Sequence, residues 1–434
     1  NHEKNKPQGR IEIPASKLIK GSEKSSDDNV WIVPRYRMFY ADSFQKKIGL
    51  PPKHVLNCQS DFNVRKNILL VDIIGYTGKR TKKPSKIWKR VAREGLKLSE
   101  QILRRHKKCD YHRLLDKYCP VPSNEIDSQN IDSLLSLDAK VPNIISFFKG
   151  AISKVFPIEF FGSYNNLEAF LDTVVLLVSK RKREELNIRE IMRGVRILHM
   201  KWLFQNESTK KRSPVDHQTA LALAVNVFKW LHSKYLVPLI RSCFYCTDTE
   251  YTKDSLVYFR KPVWAKISKI TMSSLQKKQF KRVDTVTRDN LLRQSTLGFS
   301  ALRLLPKSNG GMRPIALLCK KEKVTDFDVT QNTKSTNEFL REAFQVLSYE
   351  DGRAPSLFGV GVKGFHEVHA RLLQCTKLIK KGKQLYFASV DIHKCYDNIN
   401  QRHLLQLIQR IFSKEEYALQ KYFVVHPFEN GQNV

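Results

Sequence analysis

Two aromatic and basic stretches in the middle of the chain form its most distinctive pattern. Their sequences are Ile240-Arg-Ser-Cys-Phe-Tyr-Cys-Thr-Asp-Thr-Glu250 and Val257-Tyr-Phe-Arg-Lys-Pro-Val-Trp264. Aromatic rings offer faces on which nucleobases stack, and the cations that alternate with them suit phosphates. The pattern predicts a nucleic-acid contact. Some of the rings, Trp264 above all, are instead expected in a core, because large aromatic residues are mostly buried.

The net charge of the chain favours the same partner. The sequence has 76 Lys and Arg against 42 Asp and Glu, a formal net charge of +34. Such an excess repels itself in a compact protein, and a polyanion relieves that repulsion. Membrane surfaces are also polyanionic, but no apolar run approaches the roughly 20 residues of a transmembrane helix. Nucleic acid is therefore the expected partner, and no membrane association is expected.

A chain of 434 residues exceeds what one compact core holds, so at least two domains are expected. Residues 1–28 are polar and predict a linker or a disordered arm. Residues 29–296 have apolar residues mostly at helical spacing, as in the stretch from Leu221 to Tyr235, and predict a mainly α domain. Residues 297–434 begin with two short apolar stretches around a Gly-Gly turn, which predict a β-hairpin at the start of an α/β domain.

A candidate catalytic carboxylate follows later in the chain. The hydrophobic stretch Leu385–Ile392 predicts a buried strand, with Asp391 near its end and a helix capped by Asn398 after it. Mg²⁺ prefers oxygen ligands, and two-metal phosphoryl transfer needs carboxylates. Asp391 is therefore the candidate metal ligand, with capping or a salt bridge as the alternative. For Asp397, just before the helix, capping is the favoured role.

Eight cysteines are scattered along the chain, which predicts a reducing compartment, cytosol or nucleus. Cys243 and Cys246 form a C-x-x-C without a second pair nearby. A second group is irregularly spaced and consists of His106, Cys109, His112 and Cys119. Zinc is the weaker interpretation of both groups, because neither has the spacing of a zinc site.

Two segments resemble motifs of right-hand reverse transcriptases. Ser389-Val-Asp-Ile-His-Lys-Cys-Tyr-Asp-Asn-Ile399 resembles motif A, and Leu302-Arg-Leu-Leu-Pro-Lys-Ser-Asn-Gly-Gly-Met-Arg-Pro-Ile315 resembles motifs 1 and 2 of the fingers. The resemblance implies catalysis and metal binding at Asp391 with the adjoining Ile392. The nucleotide-binding residues that it implies are Lys307, Arg313 and Tyr396. Cations suit a triphosphate, and an aromatic ring beside the sugar would exclude a 2′-hydroxyl. For Lys307 and Arg313, the alternative is a surface hairpin whose cations are solvated. For Tyr396, the alternative is a tyrosine packed in the core.

The stretches at 240–250 and 257–264 resemble the T motif of telomerase reverse transcriptases, which other reverse transcriptases lack. Earlier segments resemble the CP and QFP regions of that family in the same order: Arg37–Tyr40 with Gly49–Asn57, Cys109–Pro120, and Phe156–Asn165. The RNA-binding residues that the resemblance implies are Phe244, Tyr245, Thr247, Tyr258, Arg260, Lys261 and Trp264.

The resemblance implies a mainly α RNA-binding domain followed by the α/β fingers and partial palm of a right-hand polymerase (reverse transcriptase) fold. The implied activity is RNA-directed DNA synthesis with Mg²⁺ at a two-metal site. The implied partners are telomerase RNA, telomeric single-stranded DNA and deoxynucleoside triphosphates, in the nucleus at chromosome ends. Because the palm is expected to be truncated, the chain alone is expected to extend no primer. The alternatives are a retroelement reverse transcriptase, which the T-like stretches argue against, and a non-catalytic RNA-binding protein with a degenerate polymerase domain.

Overall fold

The computed structural model describes residues 32–40, 48–57, 61–74, 86–204, 214–251, 255–278, 281, 283–294, 300–308, 310–319, 323–326, 329–332, 335–359, 361–362, 364–380, 384, 386, 388–392 and 395–419. The fold divides into two compact units. The first, called the helical unit below, comprises Asn1–Val283 with Leu302–Ala316, and the second comprises Asp284–Ala301 with Leu317–Val434. The domain boundary predicted at residue 296 stays a prediction.

Helices make up most of the helical unit, which begins with a 3₁₀ turn at Arg35–Met38. The α-helices are α1 (Phe62–Ile74), α2 (Lys86–Lys108), α3 (Tyr111–Tyr118), α4 (Ser123–Ile126), α5 (Ile131–Leu135), α6 (Val141–Val155), α7 (Ile158–Phe161), α8 (Tyr164–Ser179), α9 (Ile188–Ile191), α10 (Pro214–Trp230), α11 (Val237–Cys243) and α12 (Lys261–Lys278). Shorter turns are 3₁₀ at Ile197–His199 and Lys201–Leu203, and π-helical at Leu231–Leu236. The mainly α pattern predicted for this part of the sequence is confirmed.

The main core lies between the long helices. Helix α1 packs against α2 and α10, and α6 packs against α3 and α8. Gly95 lies where α2 meets α1, and a Cβ at that position would stand 2.6 Å from Leu70 Cδ1. Glycine therefore permits the close approach of these two helices. Within the described ranges, no helix combines the length and the apolarity that crossing a bilayer requires.

A buried arginine fixes the first described segment to the C-terminal end of α8. The Arg35 guanidinium donates to the carbonyls of Leu177 and Lys180, at 3.2 and 2.6 Å, and to that of Arg181 at 2.9 Å. The last carbonyls of a helix lack partners inside the helix and carry partial negative charge. Arg35 satisfies them, so the segment before α1 is held against α8.

Strands β1 (Phe244–Thr247) and β2 (Val257–Arg260) form an antiparallel ribbon that is buried on both sides. Successive side chains of a strand point to opposite faces. One face places Cys246 and Tyr258 in the main core. The opposite face contributes to a second core, whose buried members are Leu134, Tyr245, Phe259, Val263, Trp264, Ile267 and Leu304.

Strands β3 (Ala301–Pro306) and β4 (Met312–Leu317) form a second pair, as the sequence predicts for a hairpin. The turn between them is closed by the Lys307 backbone N–H, which donates to the Gly311 carbonyl at 2.8 Å. Gly310 in this turn has a φ of +73°, a left-handed conformation that glycine adopts without steric cost. The hairpin prediction is confirmed.

The second unit contains short strands and further helices. They are α13 (Thr285–Gln294), β5 (Lys323–Asp326), β6 (Val329–Asn332), α14 (Thr336–Phe339), α15 (Arg341–Arg353), a 3₁₀ turn (Pro355–Phe358), α16 (Phe365–Lys380), α17 (Cys395–Asn398) and α18 (Gln401–Ile411). Strands β5 and β6 pair antiparallel. The buried Glu350 carboxylate accepts hydrogen bonds from Arg353, Ser413 and Tyr417, which joins α15 to the segment after α18.

The predicted strand at 385–392 is not found among the described residues of that stretch. Its described residues lie in no strand, and Val390 is 90% exposed. A strand in a sheet needs a neighbour to satisfy its backbone groups, and no described strand pairs with this stretch. The prediction of a buried strand is therefore wrong for the described residues of this stretch. The following helix is present as α18, but its N-cap is Asn400, which accepts from the His403 N–H at 3.1 Å, and not Asn398.

Candidate nucleic-acid interface

The ribbon rings predicted to stack on bases are buried in the structure. Phe244, Tyr245 and Tyr258 are 0%, 2% and 1% exposed. The Tyr245 ring lies on Trp264 with centroids 3.9 Å apart, and Phe244 meets Tyr258 edge to face at 6.2 Å. Because base stacking requires an open ring face, the stacking prediction is wrong for these rings. Their role is packing, and the same holds for Trp264, which is 5% exposed.

The polar ribbon residues are also occupied within the protein. Arg260 Nη1 donates to the Cys119 carbonyl at 3.1 Å and forms an ion pair with Asp116 Oδ1 at 2.8 Å. The buried Thr247 hydroxyl donates to the backbone carbonyl of the next residue at 2.9 Å. The predicted phosphate contact of Arg260 is therefore replaced by an internal one. Lys261, at the start of α12, is half-buried, and of the seven predicted RNA contacts it keeps the most surface.

A carboxylate at the end of β1 organises the residues around it. Asp248 accepts from the Tyr40 hydroxyl at 2.7 Å, from Lys182 Nζ at 2.8 Å and from Arg303 Nη1 at 2.9 Å. The Arg303 guanidinium also lies over the Tyr40 ring, 4.1 Å from its centroid, a favourable cation–π contact. We call these four residues the Asp248 cluster. It joins the first described segment, the loop after α8, the ribbon and β3.

The protonation of the Asp248 cluster follows from its contacts. Partial burial would raise the pKa of Asp248, but hydrogen bonds from Lys182 and Tyr40 and the charge of Arg303 outweigh burial and lower it to about 2. Burial and the hydrogen bond to Asp248 raise the pKa of Tyr40 above its ordinary value. The cluster is therefore an anion held by two cations and a neutral phenol.

The β3–β4 hairpin is attached to the ribbon segment by more than the Asp248 cluster. The Glu250 N–H donates to the Pro306 carbonyl at 3.0 Å, and Arg313 Nη2 forms an ion pair with Glu250 Oε1 at 2.8 Å. Arg313 is half-exposed and Lys307 is half-buried. Both candidate nucleotide-binding cations thus project from a hairpin that the ribbon segment holds. The sequence pattern gave no role to Asp248 or Glu250, although two acids within a basic stretch were a signal of internal pairing.

The candidate residues Asp391, Ile392 and Tyr396 belong to the second unit. Asp391 and Ile392 lie outside regular structure and are exposed. Tyr396 lies in α17 and is 92% exposed, so the alternative of a core tyrosine does not apply. The side chain of Asp397 lies outside the described residues.

Neither cysteine-containing group forms a metal site. Both ring nitrogens of His106 are engaged, with the Tyr111 hydroxyl at 2.9 Å and with Asn57 Oδ1 at 2.8 Å. Cys243 and Cys246 are fully buried, and burial raises the pKa of each thiol to about 12, which disfavours the thiolate that zinc requires. Across the described ranges, no three His, Cys, Asp or Glu side chains gather in a way that could hold a metal ion.

Comparison with known proteins finds similarity over much of the chain. Residues 143–275, from α6 through the ribbon into α12, match the model of the RNA-binding domain of the telomerase ribonucleoprotein complex. The telomerase reverse transcriptase of Rattus norvegicus is 27% identical over 353 residues, covering 77% of this chain and 31% of the relative. That of Takifugu rubripes is 26% identical over 364 residues, covering 83% and 32%. The chain is therefore similar to telomerase reverse transcriptases over most of its length.

The similarity of fold extends across most of the chain. A structure of telomerase from Candida albicans in complex with the TWJ fragment of telomeric RNA has a TM-score of 0.63 at 17% identity, covering 88% of this chain and 54% of that one. The predicted class, a mainly α RNA-binding domain followed by the beginning of a reverse transcriptase fold, is confirmed. The chain spans about a third of the length of the curated relatives that it matches.

Proposed function

We propose that the chain supplies the RNA-binding and fingers regions of an RNA-directed DNA polymerase, which extends telomeric single-stranded DNA in the nucleus with a bound RNA template. The observation that carries this proposal is the joining of the T-like ribbon to the hairpin that resembles motifs 1 and 2, through Asp248 and Glu250. The family similarity over both regions supports it.

The proposed RNA partner is telomerase RNA. The net charge of +34 favours a polyanion, and the similar Candida albicans structure is a complex with a fragment of telomeric RNA. The aromatic ribbon residues are buried, so RNA is proposed to contact exposed cations on the helical unit. The role of the ribbon is then to hold those surfaces and the hairpin in position.

Lys307, Arg313 and Tyr396 are proposed to contact the deoxynucleoside triphosphate. Arg313 is 51% exposed, so its guanidinium can exchange Glu250 for phosphate oxygens without leaving a buried charge behind. Tyr396 has its ring exposed, as a steric gate beside a nucleotide sugar requires.

Asp391 is proposed as the catalytic carboxylate, with Ile392 beside it at the metal. Its exposed side chain has the oxygen type that Mg²⁺ prefers. Bound Mg²⁺ supplies electrostatic stabilisation of the charge that develops during phosphoryl transfer. One carboxylate does not make a two-metal site, so the 434-residue chain alone is proposed to bind RNA without extending a primer.

Primer extension by the complete polypeptide with its RNA tests this proposal. Asp391→Ala should abolish extension of a telomeric primer and leave RNA affinity unchanged. Glu415→Ala, at another exposed carboxylate of the second unit, is the matched control and should preserve both. Extension at the wild-type rate by Asp391→Ala would remove the catalytic assignment.

Single-nucleotide addition with matched ribo and deoxy triphosphates tests the gate. Tyr396→Ala should raise ribonucleotide incorporation relative to deoxynucleotide, because the space beside C2′ is opened. Tyr386→Ala, at an 85% exposed tyrosine of the same unit, is the control and should leave the ratio unchanged. An unaltered ratio in a folded Tyr396→Ala enzyme would remove the gate.

A further inference from the structure

A surface cavity of about 370 Å³ lies along one side of α12. The α12 residues that line it follow a spacing of three or four and therefore share one helical face. They are Lys266, Lys269, Ile270, Ser273, Ser274 and Lys277, and Gln129 completes the lining. We call Gln129, the three lysines and the two serines the α12 stripe.

The α12 stripe is carried by a firmly packed helix. An adjoining face of α12 places Val263, Trp264 and Ile267 in the second core, against which Ile270 also packs. The buried Thr271 hydroxyl donates to the Ile267 carbonyl at 2.9 Å, so the polar group on the inner face is satisfied. The stripe residues therefore project from a backbone whose position is fixed by packing.

The charge of the stripe is not balanced within the described part of the chain. Among the described residues that line the cavity, none carries a carboxylate, and the three lysines form no ion pair with a described residue. Elsewhere in the helical unit lysines do find carboxylates, as Lys180 and Lys182 do with Glu190 and Asp248 at 2.6 and 2.8 Å. Like charges on one helical face repel, and a polyanion in the cavity would remove that repulsion.

We propose that the α12 stripe binds the sugar–phosphate backbone of RNA without reading its sequence. The inference rests on the proposed RNA-binding function and assigns it a surface outside the ribbon. Lysine ammonium groups suit phosphates, and serine and glutamine side chains suit phosphate oxygens and 2′-hydroxyls. The stripe has no aromatic ring on which a base could stack, so its binding is independent of base sequence.

The length of the stripe agrees with a short run of nucleotides. Lys277 follows Lys266 by eleven positions, about 16 Å along a helix that rises 1.5 Å per residue. A nucleic-acid strand in a duplex advances about 3.4 Å per nucleotide, so the stripe spans about five nucleotides of such a strand. Three lysines distributed over this length can each neutralise a separate phosphate.

The test compares two triple variants of the full 434-residue chain. The stripe variant is Lys266→Gln, Lys269→Gln and Lys277→Gln. The control variant removes the same charge from exposed positions elsewhere in the helical unit, with Lys149→Gln, Lys154→Gln and Lys201→Gln. The probe is an oligouridylate of about 20 nucleotides, longer than a typical single-strand site. Thermal unfolding establishes that both variants are folded.

The stripe variant should bind the oligouridylate about tenfold more weakly than the control variant does. A plot of the logarithm of the binding constant against the logarithm of the salt concentration should also become less steep, by about 2. Each of the three lost phosphate contacts contributes about 0.7 to this slope for single strands. Equal losses in the two variants would overturn the inference. Wild-type protein that binds no oligouridylate would instead overturn the proposed RNA-binding function itself.

A single charge introduced into the stripe gives an independent test. Ser273→Glu places an anion between the lysines and should weaken oligouridylate binding, whereas Ser153→Glu on the exposed side of α6 should not. An acidic protein segment is the rival occupant. If the stripe variant kept its affinity for oligouridylate and lost affinity for polyglutamate, the surface would be a protein-binding one and the inference would fail.

Discussion

Tyr245 and Trp264 lie face to face, with ring centroids 3.9 Å apart and planes 9° from parallel. The two residues come from β1 and from α12, so their contact fixes the helix to the ribbon. Each ring covers a face that a nucleobase would need. The aromatic pattern of the T-like segment is thus satisfied inside the protein, which leaves the proposed RNA contacts to the surfaces that the ribbon supports.

Tyr245→Ala should lower the free energy of unfolding by about 3 to 5 kcal/mol, the usual cost of removing a large aromatic side chain from a core. Denaturant unfolding measures this. Tyr164→Ala, at a tyrosine that is 72% exposed on α8, is the control and should change stability by less than about 0.5 kcal/mol. A Tyr245→Ala protein of wild-type stability that had lost RNA affinity would restore the stacking role.

Gly162→Ala should destabilise the helical unit far more than Gly194→Ala. Both glycines have left-handed φ angles, +81° and +79°, so the conformational cost of alanine, about 1 to 2 kcal/mol, is shared. A Cβ at position 162 would also stand 2.2 Å from the His199 carbonyl oxygen, whereas at 194 the nearest atom is Ala169 Cβ at 3.5 Å. Unfolding free energies of the two variants give the comparison, and equal losses would contradict the predicted backbone clash.

Asp248 should make stability depend on pH in the acid range. Its pKa is about 2 in the folded chain, against about 3.9 for an unfolded aspartate, so the unfolded state takes up a proton first as the pH falls. The contribution, about 2 kcal/mol, is present above pH 4 and is lost between about pH 4 and 2. Asp248→Asn should be less stable than wild type at pH 6, and the difference should shrink toward pH 2.

The free energy of unfolding, measured at several pH values, tests the pH-dependent contribution of Asp248 to stability. Asp172→Asn, at an exposed carboxylate on α8, controls for the loss of one charge. A stability difference between wild type and Asp248→Asn that stayed constant from pH 6 to pH 2 would show that the ion pairs of the Asp248 cluster do not hold the carboxylate ionised.

His106 should produce a second pH-dependent loss of stability, at higher pH. Burial, with smaller contributions from the charges of His54 and Arg65, lowers its pKa to about 4, against about 6.5 when unfolded. The unfolded chain therefore binds the proton first, and about 3 kcal/mol of stability is lost as the pH falls from about 6.5 to 4. His106→Gln should be less sensitive to pH across this window.

His232 contributes a change of the same sign, because burial also lowers its pKa to about 4. The His106→Gln variant should therefore keep part of the pH dependence. His217→Gln, at an exposed histidine on α10, should keep all of it. An identical pH profile for wild type and His106→Gln would contradict a neutral His106 in the folded chain.

The sequence predicted the helices and the hairpin better than it predicted which side chains are buried. Helical spacing located α10, and the Gly-Gly turn located the β3–β4 hairpin, because both signals are local. The aromatic and basic pattern around Phe244, Tyr245 and Cys246 led to a predicted nucleic-acid contact and to no predicted strand. It did not reveal that both faces of the ribbon are buried, since that depends on α12 and on helices distant in sequence.

For the candidate catalytic residues, too, the sequence predicted local features and missed those that depend on residues distant in the chain. The spacing of Lys307 and Arg313 follows from a local hairpin, which the structure contains. A strand around Asp391 depends on neighbouring strands, so no local pattern could establish it. The pairing of Arg313 with Glu250 joins residues 63 positions apart in the chain, and sequence spacing carries no signal for such a contact.

The identity of the RNA bound in cells tests the central claim most directly. RNA crosslinked to the chain, recovered from its own cells and sequenced, should be dominated by one abundant species that carries a template complementary to the telomeric repeat. A mixture of unrelated RNAs in proportion to their abundance, or no enrichment over a control protein of similar charge, would contradict the proposed function.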